Sequence, residues 1–387
     1  MAGPAPDRAA PGGAVPDEAY LLALAGLPRV GPARLRWLVD THGAAGAWQL
    51  VLAGRIDPAD LRPVGKEVVT DTIAEWRRVG ATIDPRACWQ AHVDAGLGVA
   101  GRSSPAFPAP FAADDDPPGV ICWQGDLDHL AGARAAVVGT RRATRYGLDV
   151  AHELGRGLAD AGVAVVSGLA LGIDGAAHAG ALASGGAPPV AVVGSGLDRV
   201  YPRAHGPLWR QVARSGVVLT EWPLGVPPTA WRFPARNRLI ATLADVVVVV
   251  ESQATGGAMG TALEAARRGV PVLAVPGPVT AASSDGTNQL LFDGCAPARD
   301  TADVLVAMGR EVRRPRKAAE SRRRPTGDAA DVLAQVPWGP VPAERLTTAT
   351  GLDLGRLAVA LDTLEADGWV ARRDGWVERL GRPAGSR

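Results

Sequence analysis

Between residues 134 and 308 the chain alternates short valine-rich apolar runs with segments of helical length, and few folds accept that rhythm. The runs cover residues 135–138, 163–166, 190–193, 217–219, 246–250 and 272–275. They are rich in β-branched residues and apolar on both faces, as strands covered by helices on each side must be. The intervening segments, such as 146–161 and 258–268, are amphipathic enough for helices. Alternating βα units predict an α/β fold: a Rossmann-like, doubly wound parallel sheet.

In such a sheet the loops at the carboxyl edge carry the ligand site. The first junction reads Gly139-Thr140-Arg141-Arg142-Ala143-Thr144. A glycine permits a tight turn, a helix begins near Tyr146, and unpaired N–H groups at a helix start favour an anion. Arg141 or Arg142 can add a bidentate phosphate grip; the plainer reading is a turn with solvated arginines. The second junction is Ser167-Gly168-Leu169-Ala170-Leu171-Gly172-Ile173-Asp174, in which Asp174 suits a helix N-cap and His178 lies one helical turn on. The preferred reading of His178 is a structural histidine paired with Asp174. The third, Gly194-Ser195-Gly196-Leu197-Asp198-Arg199, half-matches GxGxxG and is weak evidence for a dinucleotide. Tyr201, just beyond it, can stack a base or fill a gap.

Residues 232–238 are Arg-Phe-Pro-Ala-Arg-Asn-Arg, a dense polar group placed before the helix that holds Leu239 and Ile240. Arg236 and Arg238 can track phosphates, Asn237 can read a base edge or order a loop, and Phe233 can stack. The competing reading is a salt-bridge network with Asp245 and Glu251. Thr255 and Gly256 open a further glycine-rich turn before a helix containing Glu264. Several such junctions on one edge outline a groove for several phosphates. No GxxxxGK[ST], HExxH or GxSxG occurs, so the sequence predicts a binding site without catalytic residues, metal or cofactor.

Net charge is +1, so an anion site must be a local cluster. Cys88, Cys122 and Cys295 are scattered without metal or redox spacing, which predicts a reducing, cytoplasmic setting. No signal peptide or membrane span is expected. Residues 1–16 read as a disordered tail and 17–92 as small helices. Residues 93–133 are a connector with one or two short strands that joins the Rossmann-like domain, 93–308 in all. Residues 309–327 read as a basic linker. Residues 328–380 show three short helical patterns and a hairpin around Asp374-Gly375, suggesting a winged helix.

The order of the motifs is similar to that of the DNA-processing protein A (DprA/Smf) family. The carrying residues are Gly139-Thr140-Arg141, Ser167-Gly168 with Gly172-Ile173-Asp174 and Ala177-His178, Gly194-Ser195-Gly196-Leu197-Asp198 with Tyr201-Pro202, Phe233-Pro234 with Arg236-Asn237-Arg238, and Pro276-Gly277. The resemblance implies single-stranded DNA binding during natural transformation, help in loading a RecA-type recombinase, and a Rossmann domain that dimerises. It places the family's phosphate-contacting arginine on Arg141 and its second basic residue on Arg236 or Arg238. Leu169 departs from the family's more glycine-rich stretch. Residues 27–35 resemble a helix-hairpin-helix turn, with 61–66 a weaker second copy; such turns contact DNA phosphates or serve as plain interaction folds. The winged helix can bind duplex DNA or a protein.

Two other readings stand beside this one. Residues 256–264 come close to the PGGxGTxxE signature of Rossmann-fold nucleotide N-glycosidases (lysine-decarboxylase-like phosphoribohydrolases). Thr255 replaces the proline, however, and one extra residue shifts the spacing. The third reading is a DNA-tethered adaptor that works through its two end domains.

Overall fold

A computed structural model describes residues 15–57, 70–311 and 322–380. Residues 1–14 of the expected tail, the second hairpin copy at 61–66 and most of the expected basic linker lie outside the described residues.

Among the described residues five helices come first: α1 (Asp17–Ala25), α2 (Pro32–His42), α3 (Ala44–Ala53), α4 (Thr70–Gly80) and α5 (Pro85–Asp94). The turn between α1 and α2 carries Arg29 in a left-handed conformation, φ 59°. The Trp76 indole N–H donates to Pro28 O at 2.7 Å and ties that turn to α4.

The central unit runs β1 (Gly98–Gly101), α6 (Ala109–Ala112), β2 (Val120–Gly125), β3 (Arg134–Val138), α7 (Arg145–Asp160), β4 (Ala164–Ser167), α8 (Ile173–Ser184), β5 (Val190–Val192), α9 (Gly206–Ser215), β6 (Val217–Thr220), α10 (Arg232–Leu243), β7 (Val246–Val249), α11 (Gly257–Arg267), β8 (Val272–Ala274), α12 (Asp285–Phe292), β9 (Ala296–Pro297) and α13 (Thr301–Ala307). All six valine-rich runs are strands. They sit in a nine-stranded sheet of order β1-β2-β6-β5-β4-β3-β7-β8-β9. Pairing is parallel from β6 to β9, but β2 joins β6 antiparallel and β1 joins β2 antiparallel. The sheet is therefore mixed, not wholly parallel. The connector supplies its antiparallel edge with β1 and β2, where one or two short strands are expected, whereas the two-residue β9 carries too little periodicity to be read from sequence.

The interiors of β3 to β7 are fully buried. One core unites the N-terminal helices with Ala191, Val193 and Val218 of the sheet, so the helices cover part of one face. A relay of ion pairs reinforces the join: Arg36 of α2 reaches Asp116, which also faces Arg238 of α10 at 3.6 Å. Arg238 in turn pairs with the buried Glu221.

The C-terminal unit is a winged helix. It consists of α14 (Asp328–Gln335), β10 (Val341–Pro342), α15 (Ala343–Thr350), α16 (Leu354–Ala366), β11 (Val370–Arg373) and β12 (Trp376–Arg379), with its own core. The β11–β12 turn uses Asp374 (φ 50°) and Gly375 (φ 81°), the pair the sequence marks. Among the described residues no helix is long and apolar enough to cross a membrane, and no cluster of ligands could hold a metal.

Helices α7 and α8 cross with almost no gap. A Cβ on Gly155 would lie 2.1 Å from Ala177 O, and one on Gly180 would lie 2.0 Å from His152 O. Because the obstacle is backbone, the helices must separate to admit a methyl group. Overpacking costs roughly 1–3 kcal/mol, against a propensity gain of up to about 1 kcal/mol for alanine over glycine. Gly180→Ala is expected to lower the urea unfolding midpoint; an unchanged or higher midpoint would contradict the close crossing.

Candidate functional site

From β3 the chain first winds toward β4, β5 and β6, then crosses back to place β7 on the other side of β3. The loops after β3 and β7 therefore part at the carboxyl edge, and a crevice forms there for purely topological reasons. It holds a cavity of about 700 Å³. The β3–α7 loop lines it with Gly139, Thr140, Arg141 and Arg142, the loop after β5 with Tyr201, and the β7–α11 loop with Gln253, Gly256 and Gly257. Helix α10 adds Phe233, Arg236 and Asn237. Motifs more than a hundred residues apart in sequence thus meet at one cavity.

The Arg-Phe-Pro-Ala-Arg-Asn-Arg segment is not a loop before a helix. It forms the first turns of α10 itself, which points Phe233, Arg236 and Asn237 into the cavity from one rigid element. Arg236 is only 5% exposed. It donates to Val192 O, and its Nε has no hydrogen-bond partner. Gly168 makes room for it, since a Cβ there would lie 1.9 Å from Arg236 Nη1. Burial holds the guanidinium below its ordinary pKa, while Asp174 opposes that shift.

Asp174 occupies the second position of α8 and also lines the cavity. Burial raises its pKa; Arg236 and the N–H groups of Ala170, Gly168 and Gly139 lower it. The Gly168 N–H donates to Asp174 Oδ2 at 3.1 Å. One carboxylate therefore ties the ends of β3 and β4 to the guanidinium of α10. Asn237 donates to Gly257 O at 3.1 Å, so its amide orders the β7–α11 loop.

Two rings meet at the rim. Tyr201 lies 5.3 Å from Phe233, and the Arg141 guanidinium lies 4.7 Å above the Phe233 ring. Phe233 is partly covered; Tyr201, 41% exposed, is the ring open to a ligand. Arg141 and Arg142 are exposed and have no carboxylate partner among the described residues.

Several expectations need correction. The α7 N-terminus is not an open anion cradle. The Thr144 side chain caps it by accepting from Gly147 N, and Glu251 accepts both Thr144 N at 2.9 Å and the Thr144 hydroxyl at 2.6 Å. Tyr146 N donates to Glu378 of the winged helix at 3.3 Å. Thr140 accepts from Arg142 N at 3.2 Å. With these donors engaged, the loop offers guanidinium groups instead. The uncapped helix ends at the cavity are those of α10 and α11, whose N-caps are Trp231 and Gly256 and whose first turns have no acid.

Ser167 does not face the cavity; its hydroxyl donates to Val137 O at 2.7 Å. Gly168 acts by its missing side chain. Arg238 lines no part of the cavity and is held by Glu221 and Asp116. The alternative network of these arginines with Asp245 and Glu251 does not form either: Asp245 faces Arg134 at 3.6 Å. Thr255 is exposed beside the cavity lining. Glu264, the acid of the hydrolase-like signature, pairs with Arg267 at 2.9 Å and with Arg268 at 2.5 Å, away from the cavity. Leu169 is fully buried with φ 54°, a left-handed backbone that favours glycine.

His178 is structural but not paired with Asp174. Its Nε2 donates to Val190 O at 3.1 Å. Burial pushes its pKa down to about 4, so the folded state favours the neutral ring. A depressed folded pKa contributes stability that is complete above the unfolded value of about 6.5 and is lost as pH falls toward 4. The loss amounts to about 3 kcal/mol at full protonation. His178→Gln is expected to flatten the fall of the unfolding midpoint between pH 6.5 and 5. Parallel curves for the two proteins would remove His178 as its source.

Residues 99–309 match the family model described as DNA recombination-mediator protein A, and residues 316–375 match the DprA winged helix domain. A putative DNA processing protein DprA of Mycobacterium tuberculosis is 42% identical over 258 residues, 64% of this chain and 65% of that protein. The chain thus spans just under two thirds of that relative. Protein Smf of Escherichia coli K12 is 33% identical over 309 residues, 78% of this chain and 82% of that protein. Among solved structures, DNA processing protein A of Streptococcus pneumoniae superposes with a TM-score of 0.60 at 28% identity, covering 77% of this chain and 98% of the other. DNA processing protein A of Helicobacter pylori, described for its single-stranded DNA binding mode, gives 0.50 at 29% identity, covering 55% and 95%.

Proposed function

The chain belongs to the DNA recombination-mediator protein A (DprA/Smf) family, and on that premise we propose that it binds single-stranded DNA at the carboxyl edge of its sheet without catalysing a reaction there. One observation carries the reading. A single cavity joins unpaired exposed arginines, an uncapped helix N-terminus and an open aromatic ring. Phosphates suit the first two and bases the third.

As a member of this family the protein serves DNA processing in natural transformation, protecting the incoming strand and handing it to a RecA-type recombinase in the cytoplasm. It works as a homodimer through the Rossmann domain.

The nucleotide N-glycosidase reading loses its general acid, because Glu264 is engaged with Arg267 and Arg268. Among the described residues the one carboxylate in the cavity, Asp174, is taken up by backbone donors. Incubation with AMP is expected to release no adenine; multiple turnover would restore the enzyme reading.

Binding to a labelled oligothymidylate is expected to weaken with salt, by about 0.7 in log–log slope for each phosphate neutralised. Arg141→Ala is expected to reduce affinity about tenfold or more, as loss of a charge-assisted hydrogen bond does, and to flatten that slope for every base sequence. Equal affinity and slope in variant and wild type would take Arg141 out of the site.

A further inference from the structure

We propose that the bound strand continues from the cavity onto Trp231 and the N-terminal hairpin turn, making the helical domain a second nucleotide subsite. The inference rests on the single-strand reading above and extends its footprint. Trp231 is the N-cap residue of α10, next to Ala230 in the cavity wall and one residue short of the turn that carries Phe233. It is 45% exposed, although most of the chain's large apolar side chains near the sheet are buried.

The ring is held rather than loose. Trp222 meets it edge-on at 5.2 Å, with an interplanar angle of 88°. The Arg232 guanidinium stacks over both indoles, 4.7 Å from Trp222 and 4.9 Å from Trp231. Arg232 donates to Pro227 O, its buried Nε has no acceptor, and no carboxylate pairs with it among the described residues. A fixed aromatic face beside a cation without a counter-ion is what a base and its phosphate need. A fixed ring also loses little entropy on stacking.

The next element along this surface is the turn before α2. A Cβ on Gly31 would lie 3.8 Å from the Trp231 ring. Gly31 is the N-cap of α2, with no side-chain cap and no acid in the first turn. Arg29 stands exposed at the tip, without a carboxylate partner among the described residues. The juxtaposition is rigid. His92 of α5 donates from Nδ1 to Cys88 O at 2.7 Å and accepts Leu224 N at 3.1 Å, anchoring the 222–231 loop to the helical domain. Cation, ring and helix end thus continue the cavity's own order of groups, which favours a polyanion with bases over an apolar protein partner.

The test uses the full chain and a graded series of oligothymidylates, from the shortest that wild type binds upward. Trp231→Ala is expected to weaken the longer members about tenfold, as loss of one stacked base does, and to leave the shortest unchanged. Trp231→Tyr is expected to restore most of the loss. Arg29→Ala, at an exposed tip where folding is not at stake, should lower the salt slope by about 0.7 on long members only. Wild-type affinity at every length in both Trp231→Ala and Arg29→Ala would overturn the proposal. So would an equal loss at the shortest length, which would mean damage to the cavity, or a loss confined to duplex DNA. If wild type bound no oligothymidylate of any length, the single-strand reading itself would have failed, a result distinguishable from all of these.

Discussion

Asp174 is 5% exposed, yet it carries a carboxylate at the edge of a low-dielectric core. Such a group is stable only if its oxygens are taken up by donors and its charge by a partner. Here the donors are the N–H groups of Gly139, Gly168 and Ala170, and the partner is Arg236. The β3–α7 loop and the start of the β4–α8 loop therefore hang from one side chain. That arrangement holds the backbone next to Arg141 in place before a ligand arrives, which spares the ordering cost a mobile loop would incur. Gly168 belongs to the same device, because only a residue without Cβ leaves room for Arg236 above it.

The helix ends at this edge divide the labour. At α7 the orphan N–H groups and the dipole are served by Thr144, Glu251 and Glu378, so an added anion there would meet carboxylates. At α11 the first turn has neither cap nor acid. The groups left open to an anion are thus guanidinium groups at the β3–α7 loop and the uncapped ends of α10 and α11. Farther out, the relay of Arg36, Asp116, Arg238 and Glu221 fixes the helical domain against α10. Arg238 is a structural residue in this relay, and of the three arginines in its segment only Arg236 lines the cavity.

The legible part of the protein was the part written in periodicity. The valine-rich runs became strands because residues apolar on both faces have no stable place except between two helical layers. The glycine-ended junctions fell at one edge because parallel strands put all their βα turns there. Asp374-Gly375 marked its hairpin because the turn needs two residues with positive φ. What resisted reading was every question of partner. Asp174 and His178 stand four apart on one helix, and local spacing suggested a pair. In the fold each finds a better partner off the helix, loop N–H groups for one and Val190 O for the other. The direction of the edge strands was hidden as well, since short strands in a connector carry no signal for which way they pair.

The amino-acid order by itself determined the layer architecture, the edge on which ligand-facing loops gather, and the family. All three follow from local hydrophobic pattern, turn chemistry and ordered motifs. Tertiary structure alone decided which arginine is exposed and which is buried in an ion pair, which helix end is stoppered by an acid, and where Trp231 faces. Those outcomes depend on competition for a buried donor or charge among groups far apart in the chain, and no local pattern records the winner.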